Sequence, residues 1–450
     1  MFNRNKNQIH VLEKIKLKPS RFNIILKKNN EEIKLYNSYT GEIIKFSNGT
    51  KEKVLNILHR REIKFEKGDK WIDLLYNKGF IVRYDTDEYK KATAQKFKLL
   101  SENRTLHSIL LPNEDCNFRC IYCYEDFLKK EMKTHVKKGI LNFLEKELVS
   151  YKNLNISWFG GEPLESFNVI QELSEEIKVL CNKNKVDYFA DITTNGYNLD
   201  EEKFKKLIEL NVSNFQITLD GNSQTHDRQR IKKDGGPTFN KIIENLVNLK
   251  NTSYEYSILL RSNISKDVSE VMYDYIDLMR DLFKDDPRFL MHFIPVLNLK
   301  GEQSSNIHLC NTKDLFPYYE YAQEQGFNFN FYKGFMEPGG SECYASNPNS
   351  YVIGSDGMVY KCTVAFNNPL NHVGDIKENG EMELYEERLS LWLSGGANED
   401  PNCTKCYFRP ACQGNACPLE RIEAEKTPCP PIKQNLKRYL NLVEEDSIYG

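Results

Sequence analysis

Two kinds of hydrophobic periodicity divide the chain. Between residues 20 and 85, Arg21–Leu26 and Ile33–Tyr36 predict strands, and Ile43–Phe46 predicts a third. Apolar positions then recur at helical spacing in Lys51–His59 and Asp69–Tyr76, and Gly79–Val82 returns as a strand. This order describes a winged-helix-like module over residues 1–90. The polar, charged stretch after it, Arg83–Arg104, predicts a linker, placed at 91–104.

From His107 onward the pattern alternates between short apolar strands and helix-length connections. His107–Leu111, Ile156–Phe159, Tyr188–Ile192, Phe215–Leu219, Tyr256–Arg261 and Phe289–Ile294 predict strands, with amphipathic segments between them. Strands in that rhythm form a parallel sheet with helices outside, so residues 105–335 predict an α/β fold of partial (β/α)6 TIM-like barrel type. In such barrels chemistry gathers at the C-terminal ends of the strands. Beyond residue 335 the periodicity fades, and residues 336–450 predict a cysteine-rich C-terminal domain.

Composition narrows the setting. The chain has 450 residues, 40% apolar and 28% charged, enough for several buried cores. Met1–Ser20 is polar and lysine-rich without a signal-type apolar core, and no apolar run reaches the roughly 20 residues that span a bilayer. A cytoplasmic protein with no membrane partner is expected. Its 12 cysteines are too sparse for a disulfide scaffold, so clustered Cys read as metal ligands or catalytic groups. Net charge is −2, yet residues 1–100 hold 23 Lys+Arg against 12 Asp+Glu. That asymmetry suits an acidic peptide or a nucleic acid, and a solvated lysine-rich surface accounts for it equally well.

The first Cys cluster, Cys116-x3-Cys120-x2-Cys123, supplies three thiolates where a four-iron cluster is usually held by four. An open iron is implied. About forty residues on, the second strand ends in Trp158-Phe-Gly-Gly-Glu162, whose glycines permit close backbone approach. Later strand ends carry Thr194-Asn195-Gly196, Asp220-Gly221 and Arg261-Ser-Asn263. This ordered set resembles the radical S-adenosylmethionine (radical SAM) enzymes. The resemblance implies that the open iron binds the amino and carboxylate groups of S-adenosylmethionine and that Gly160, Gly161 and Glu162 hold the methionyl amine. It also implies that Thr194, Asn195, Arg261 and Asn263 contact the cofactor and that Tyr122 lies against the adenine. His226 and Asp227 follow the fourth strand, where capping the next helix competes with facing a substrate.

The second cluster comprises Cys343, Cys362 in a Gly-x4-Cys element, Cys403-x2-Cys406-x5-Cys412-x4-Cys417, and Cys429. Cys403-x2-Cys406 alone would also suit zinc. The whole resembles the SPASM extension of peptide- and sulfatase-modifying radical SAM enzymes, which implies two auxiliary 4Fe–4S clusters and three clusters in all. On that pattern Cys403, Cys406, Cys412 and Cys429 ligate the outer auxiliary cluster, and Cys343, Cys362 and Cys417 the inner one. Two departures stand out: four residues, not three, separate Cys412 from Cys417, and the ligand count is seven, not eight. The inner cluster then either keeps an open iron for a substrate thiolate or takes Cys310 as an eighth ligand. Cys181, on one helical stripe with Ile170, Leu173 and Ile177, reads as core.

The N-terminal module resembles the precursor-recognition element of radical SAM–SPASM enzymes that modify ribosomally made peptides, which implies a leader peptide bound as an added strand. The expected activity is formation of a Cys-to-carbon thioether in a precursor peptide, of sactipeptide or ranthipeptide type, with ferredoxin or flavodoxin as electron donor. Carbon–carbon crosslinking, epimerisation and formylglycine formation on sulfatases stay open. So does a non-catalytic iron–sulfur regulator reading DNA, although a sensor has no need of Gly160–Glu162 or Thr194–Gly196, and nucleic acid is not the expected partner.

Overall fold

The computed structural model describes residues 16–27, 31–64, 68–297, 309–395, 400–424 and 426–449. Most of Met1–Ser20 lies outside the described residues. Two compact units are distinguished, each from non-contiguous stretches: Met1–Asn103 with Asn330–Cys343 and Gly395–Gly450, and Arg104–Phe329 with Tyr344–Ser394. Among the described residues no helix is long and apolar enough to cross a membrane.

In the first unit the expected strands form at Asn23–Lys27, Glu32–Asn37 and Ile43–Ser47, and the helices at Asn48–Leu58 and Lys70–Asn77. Their core is apolar, with Leu17, Ile33, Leu35, Ile44, Phe46 and Val54 fully enclosed. Three strands, Lys16–Pro19, Ile63–Lys64 and Ser447–Tyr449, lay below sequence detection. Lys16–Pro19 pairs with both Ile63–Lys64 and Ile81–Arg83, and Ser447–Tyr449 pairs in parallel with Ile43–Ser47. The stretch read as a linker contains a helix, Glu88–Glu102. Asp87 caps it by accepting from the Lys90 amide, and buried Glu88 accepts from the Ser20 hydroxyl and the Arg21 amide. Those contacts hold a helix whose apolar stripe is thin.

In the second unit six parallel strands follow one another in sheet order: Thr105–Asn113, Asn153–Gly160, Asp187–Thr194, Val212–Thr218, Ser257–Ile264 and Phe289–Pro295. The sheet stays open and continues from its first strand into Ser350–Ile353, Met358–Tyr360, His372–Ile376 and Met382–Leu384. The strands alternate. Leu154, Ile156 and Trp158 are fully buried, with Asn155 and Ser157 between them. The register aligns Ser157 with Asp191, Thr193 with Gln216, Thr218 with Arg261, and Arg261 with His292, so one sheet face is a polar belt. Apolar residues on the opposite face bury against helices while the polar face leads to the strand ends.

Candidate functional site

At those strand ends a cavity of about 270 Å³ is lined by the Cys triplet, Tyr122, Gly160, Gly161, Thr194, Asn195, Arg261 and Asn263. Nearly all of the first group of sequence-predicted residues therefore converge. Glu162 is the exception, for it is fully buried and turned into the chain. One of its oxygens accepts from the Thr194 hydroxyl at 2.6 Å and the Leu164 amide at 3.0 Å, the other from the Asn195 amide at 2.7 Å. Burial raises its pKa to about 7 against these hydrogen bonds.

The glycines serve the same construction. The Gly161 amide donates to the Asn113 carbonyl and the Glu162 amide to that of Asp115, which zips the second strand to the loop leading into Cys116. A Cβ at Gly160 would lie 2.2 Å from the Asn113 oxygen, and one at Gly161 2.4 Å from the Asp115 oxygen. Gly160 also has φ +127°, in the region that favours glycine. Asn195 reaches the loop by donating to the Asn117 side chain at 2.6 Å. Asp115 receives Arg119, Lys130 and Lys233, which together outweigh its partial burial and hold its carboxyl far below the usual range.

A short two-stranded sheet missed in the sequence completes the loop's support. Arg230–Lys232 pairs antiparallel with Phe118–Cys120, setting Arg230 opposite Cys120. Arg230 donates to the Tyr122 hydroxyl at 2.7 Å, and Asn263 donates to it at 3.1 Å. The same hydroxyl donates to Asp220, whose other oxygen accepts from the Asn263 amide at 2.8 Å. Arg261 donates to the Asn263 side chain at 3.0 Å. Burial works against the Arg230 charge, but Cys120, Tyr122 and Asp220 outweigh it and keep the guanidinium firmly protonated. The sequence places Asp220 in a strand-end turn and gives Arg230 no role of its own; the network that joins them to Tyr122 and Asn263 emerges only in the fold. Its signal was a buried acid at a strand end and an arginine nine residues past the Asp220–Gly221 turn, legible only once the strand pairing is known. Asp227 accepts from the Thr238 and Phe239 amides at the start of helix Phe239–Lys250, the capping role. His226 is buried and accepts from the Asp220 amide.

In the first unit, Cys403 and Cys412 sit on the four-residue helices Pro401–Thr404 and Arg409–Cys412. Burial pushes the Cys403 thiol up to about 11, and Cys406 and Cys429 reinforce it; burial pushes Cys412 up to about 12, reinforced by Cys406 and Cys403. The four residues between Cys412 and Cys417 turn through left-handed Gln413 (φ +51°) and Gly414 (φ +79°), and the Cys343 amide donates to the Asn415 carbonyl in that turn. Cys343 and Cys417 belong to the first unit and Cys362 to the second. Cys310 follows Leu309, which bridges Ser265 beyond the fifth barrel strand. Cys181 is buried in helix Phe167–Asn184 as expected. Among the described residues no three Cys, His, Asp or Glu side chains stand in metal-holding geometry. Thiolates are soft donors suited to a metal such as iron or zinc, and Asp400 stands beside Cys403.

Residues 110–264 match the sequence model of the Radical SAM superfamily. The match runs from the first barrel strand to the end of the fifth and takes in the Cys triplet, Gly160–Glu162, Asn195, Arg230 and Asn263.

Residues 110–264 form a radical SAM domain.

The chain is 26% identical over 340 residues to a cysteine-type anaerobic sulfatase-maturating enzyme of Clostridium novyi (strain NT), covering 69% of this chain and 87% of that protein. Among solved structures it is similar to native anSMEcpe with bound AdoMet and the Kp18Cys peptide, with a TM-score of 0.56 at 20% identity over 75% of this chain and 96% of that one. It is also similar to Streptococcus suis SuiB bound to its precursor peptide SuiA, with a TM-score of 0.50 at 15% identity over 91% of this chain and 98% of that one. At these identities the structural likenesses speak to the fold around the radical SAM domain.

Proposed function

We propose that the protein is a radical SAM enzyme that modifies a ribosomally made peptide and joins a Cys sulfur to a carbon of an acceptor residue as a thioether. The observation that carries this reading is the strand-end cavity, where three thiols face a ring of polar groups held by the chain's own hydrogen bonds. S-adenosylmethionine, reduced at a 4Fe–4S cluster, supplies a carbon-centred radical strong enough to take hydrogen from an unactivated carbon. Cys116, Cys120 and Cys123 would hold that cluster. Gly160 and Gly161 let the second strand close on the loop that carries Cys116 and so shape the cavity wall. Glu162 acts as a positioning residue that fixes Thr194 and Asn195, while Arg230, Arg261 and Asn263 offer donors to carboxylate and hydroxyl groups. Cys403, Cys406, Cys412 and Cys429 are assigned to one auxiliary cluster. A low-potential donor such as ferredoxin or flavodoxin supplies the electrons.

Formylglycine formation on a sulfatase is the second reading, favoured by the Clostridium novyi relative. The N-terminal module weighs for the first. The likeness to SuiB covers 91% of this chain, more than the residues after Asn103 can fill, so it extends into that module. The test is to incubate the reduced, reconstituted enzyme with candidate Cys-containing precursor peptides and to fragment the products by mass spectrometry. Loss of two hydrogens shared by a Cys and one partner residue is expected. Loss of two hydrogens with every Cys still alkylatable would exclude the thioether, and exchange of a Cys sulfur for oxygen would establish the sulfatase-type reaction instead.

A further inference from the structure

Cys429 is the most open of the four thiols assigned to the outer auxiliary cluster, and the sequence after it returns a cation to its sulfur. Pro430 and Pro431 follow it, and the short helix Pro431–Gln434 turns the chain back, with the Lys433 amide donating to the Pro430 carbonyl at 3.0 Å. Each proline has its φ fixed, so the entry to this turn is rigid. Ile432 and Leu436, four residues apart, share a face and are buried, which sets the face that Lys433 takes. The Lys433 ammonium donates to the Cys429 sulfur at 3.0 Å. Partial burial works against its charge, but Cys429 and Cys406 beside it outweigh that cost and keep it protonated.

Cys403 has a different neighbour. Its thiol stands 3.9 Å from the Asp400 carboxylate, which accepts from the Asn402 amide at 2.8 Å and so caps helix Pro401–Thr404. The site therefore carries a cation against Cys429 and Cys406 and an acid beside Cys403. Ligation by thiolates does not itself require an ammonium. What an ammonium changes is the response to an added electron: a cation that donates to a ligating sulfur stabilises the reduced, more negative form of an iron–sulfur cluster more than the oxidised one.

We propose that Lys433 is a positioning residue of the outer auxiliary site which, by donating to Cys429 and standing beside Cys406, raises the reduction potential of the 4Fe–4S cluster that Cys403, Cys406, Cys412 and Cys429 hold. This role rests on the cluster assignment within the functional reading and deepens it, since it names the side chain that tunes the cluster.

The experiment is a redox titration of the reconstituted full chain, followed by electron paramagnetic resonance, in a Cys116→Ala, Cys120→Ala, Cys123→Ala background that removes the barrel cluster. The signal of the outer site is the one lost on adding Cys406→Ala and Cys412→Ala. Lys433→Met should make that cluster about tenfold harder to reduce, a midpoint lower by about 59 mV for one electron. Lys433→Arg, which keeps charge and donors, should recover most of the parent value, and Lys433→Gln, a donor without charge, should fall between. A lysine that only supports the fold would lower the iron content of Lys433→Met and leave the midpoint of the remaining cluster unmoved. That result, or a midpoint lowered equally in Lys433→Arg, would overturn the proposal. Should Lys433→Met hold no iron, the Arg and Gln variants carry the comparison, and equal midpoints in those two would overturn it. A parent protein with no signal lost on adding Cys406→Ala and Cys412→Ala would sink both the cluster assignment and this role. The expected midpoint shift in a protein that forms no thioether would sink the peptide-modifying reading and leave the role of Lys433 standing.

Discussion

The two groups of cysteines sit in opposite kinds of surroundings. Cys116, Cys120 and Cys123 lie in a loop pinned by strand-end amides, by a two-stranded sheet and by the Tyr122, Asp220, Arg230 and Asn263 network, all formed by the protein alone. Cys403, Cys406, Cys412 and Cys429 are carried by four-residue helices and turns; Cys412 lies in the buried run from Phe408 to Asn415, and Cys429 is exposed. The difference teaches where order comes from. The barrel loop is preorganised by hydrogen bonds, whereas the second group is held unevenly: Cys412 is enclosed and Cys429 is exposed.

This contrast can be broken by substitution in the metal-free protein. Arg230→Met should have the largest effect, because it leaves Asp220 as an uncompensated buried acid; a loss of about 3–5 kcal/mol in denaturant unfolding is expected. Asp220→Asn in the same chain should recover part of it, since the two sites share one network. Gly160→Ala should cost about 3 kcal/mol by the same measurement, from a left-handed backbone and a carbonyl in the way. A near-neutral result would show that the zipper between Gly160–Glu162 and Asn113–Asp115 is loose.

His107 sharpens the comparison through pH. Its ring bridges the Ser157 and Ser350 hydroxyls, both at 3.0 Å, and burial, aided by the Lys361 charge, lowers its pKa to about 4. Because the folded pKa lies below the unfolded value of 6.5, the stability it contributes is present above pH 6.5 and is lost as pH falls from there toward 4. The unfolding free energy should drop by about 3 kcal/mol over that window, and His107→Gln should flatten the drop. The smallest effect belongs to the other region: Cys429 is exposed, and Cys429→Ala in the metal-free chain should stay within about 0.5 kcal/mol of the parent.

The six barrel strands were legible because each carries an apolar alternation long enough to register, and the Cys triplet and Gly160–Glu162 because their spacing is distinctive. What escaped was short or polar. Arg230–Lys232 has three residues and no periodicity, and its role comes from pairing with a strand more than a hundred residues earlier. The helix Glu88–Glu102 read as a linker because its buried positions are Glu88 and Ala92, not Leu or Ile. Ser447–Tyr449 is a strand only because Ile43–Ser47 offers it an edge. Glu162 was legible as a site residue, but not the direction of its carboxylate, which depends on two amides and a hydroxyl from elsewhere in the fold.

The most direct measurement is 5′-deoxyadenosine formation by reduced, reconstituted protein in three forms: parent, a Cys116→Ala, Cys120→Ala, Cys123→Ala triple variant, and a Cys403→Ala, Cys406→Ala, Cys412→Ala, Cys429→Ala quadruple variant. The parent and the quadruple variant should both release it, the latter without altering peptide, and the triple variant should release none. Release by the triple variant, or none from the parent, would contradict the assignment of the barrel cavity as the site of S-adenosylmethionine cleavage.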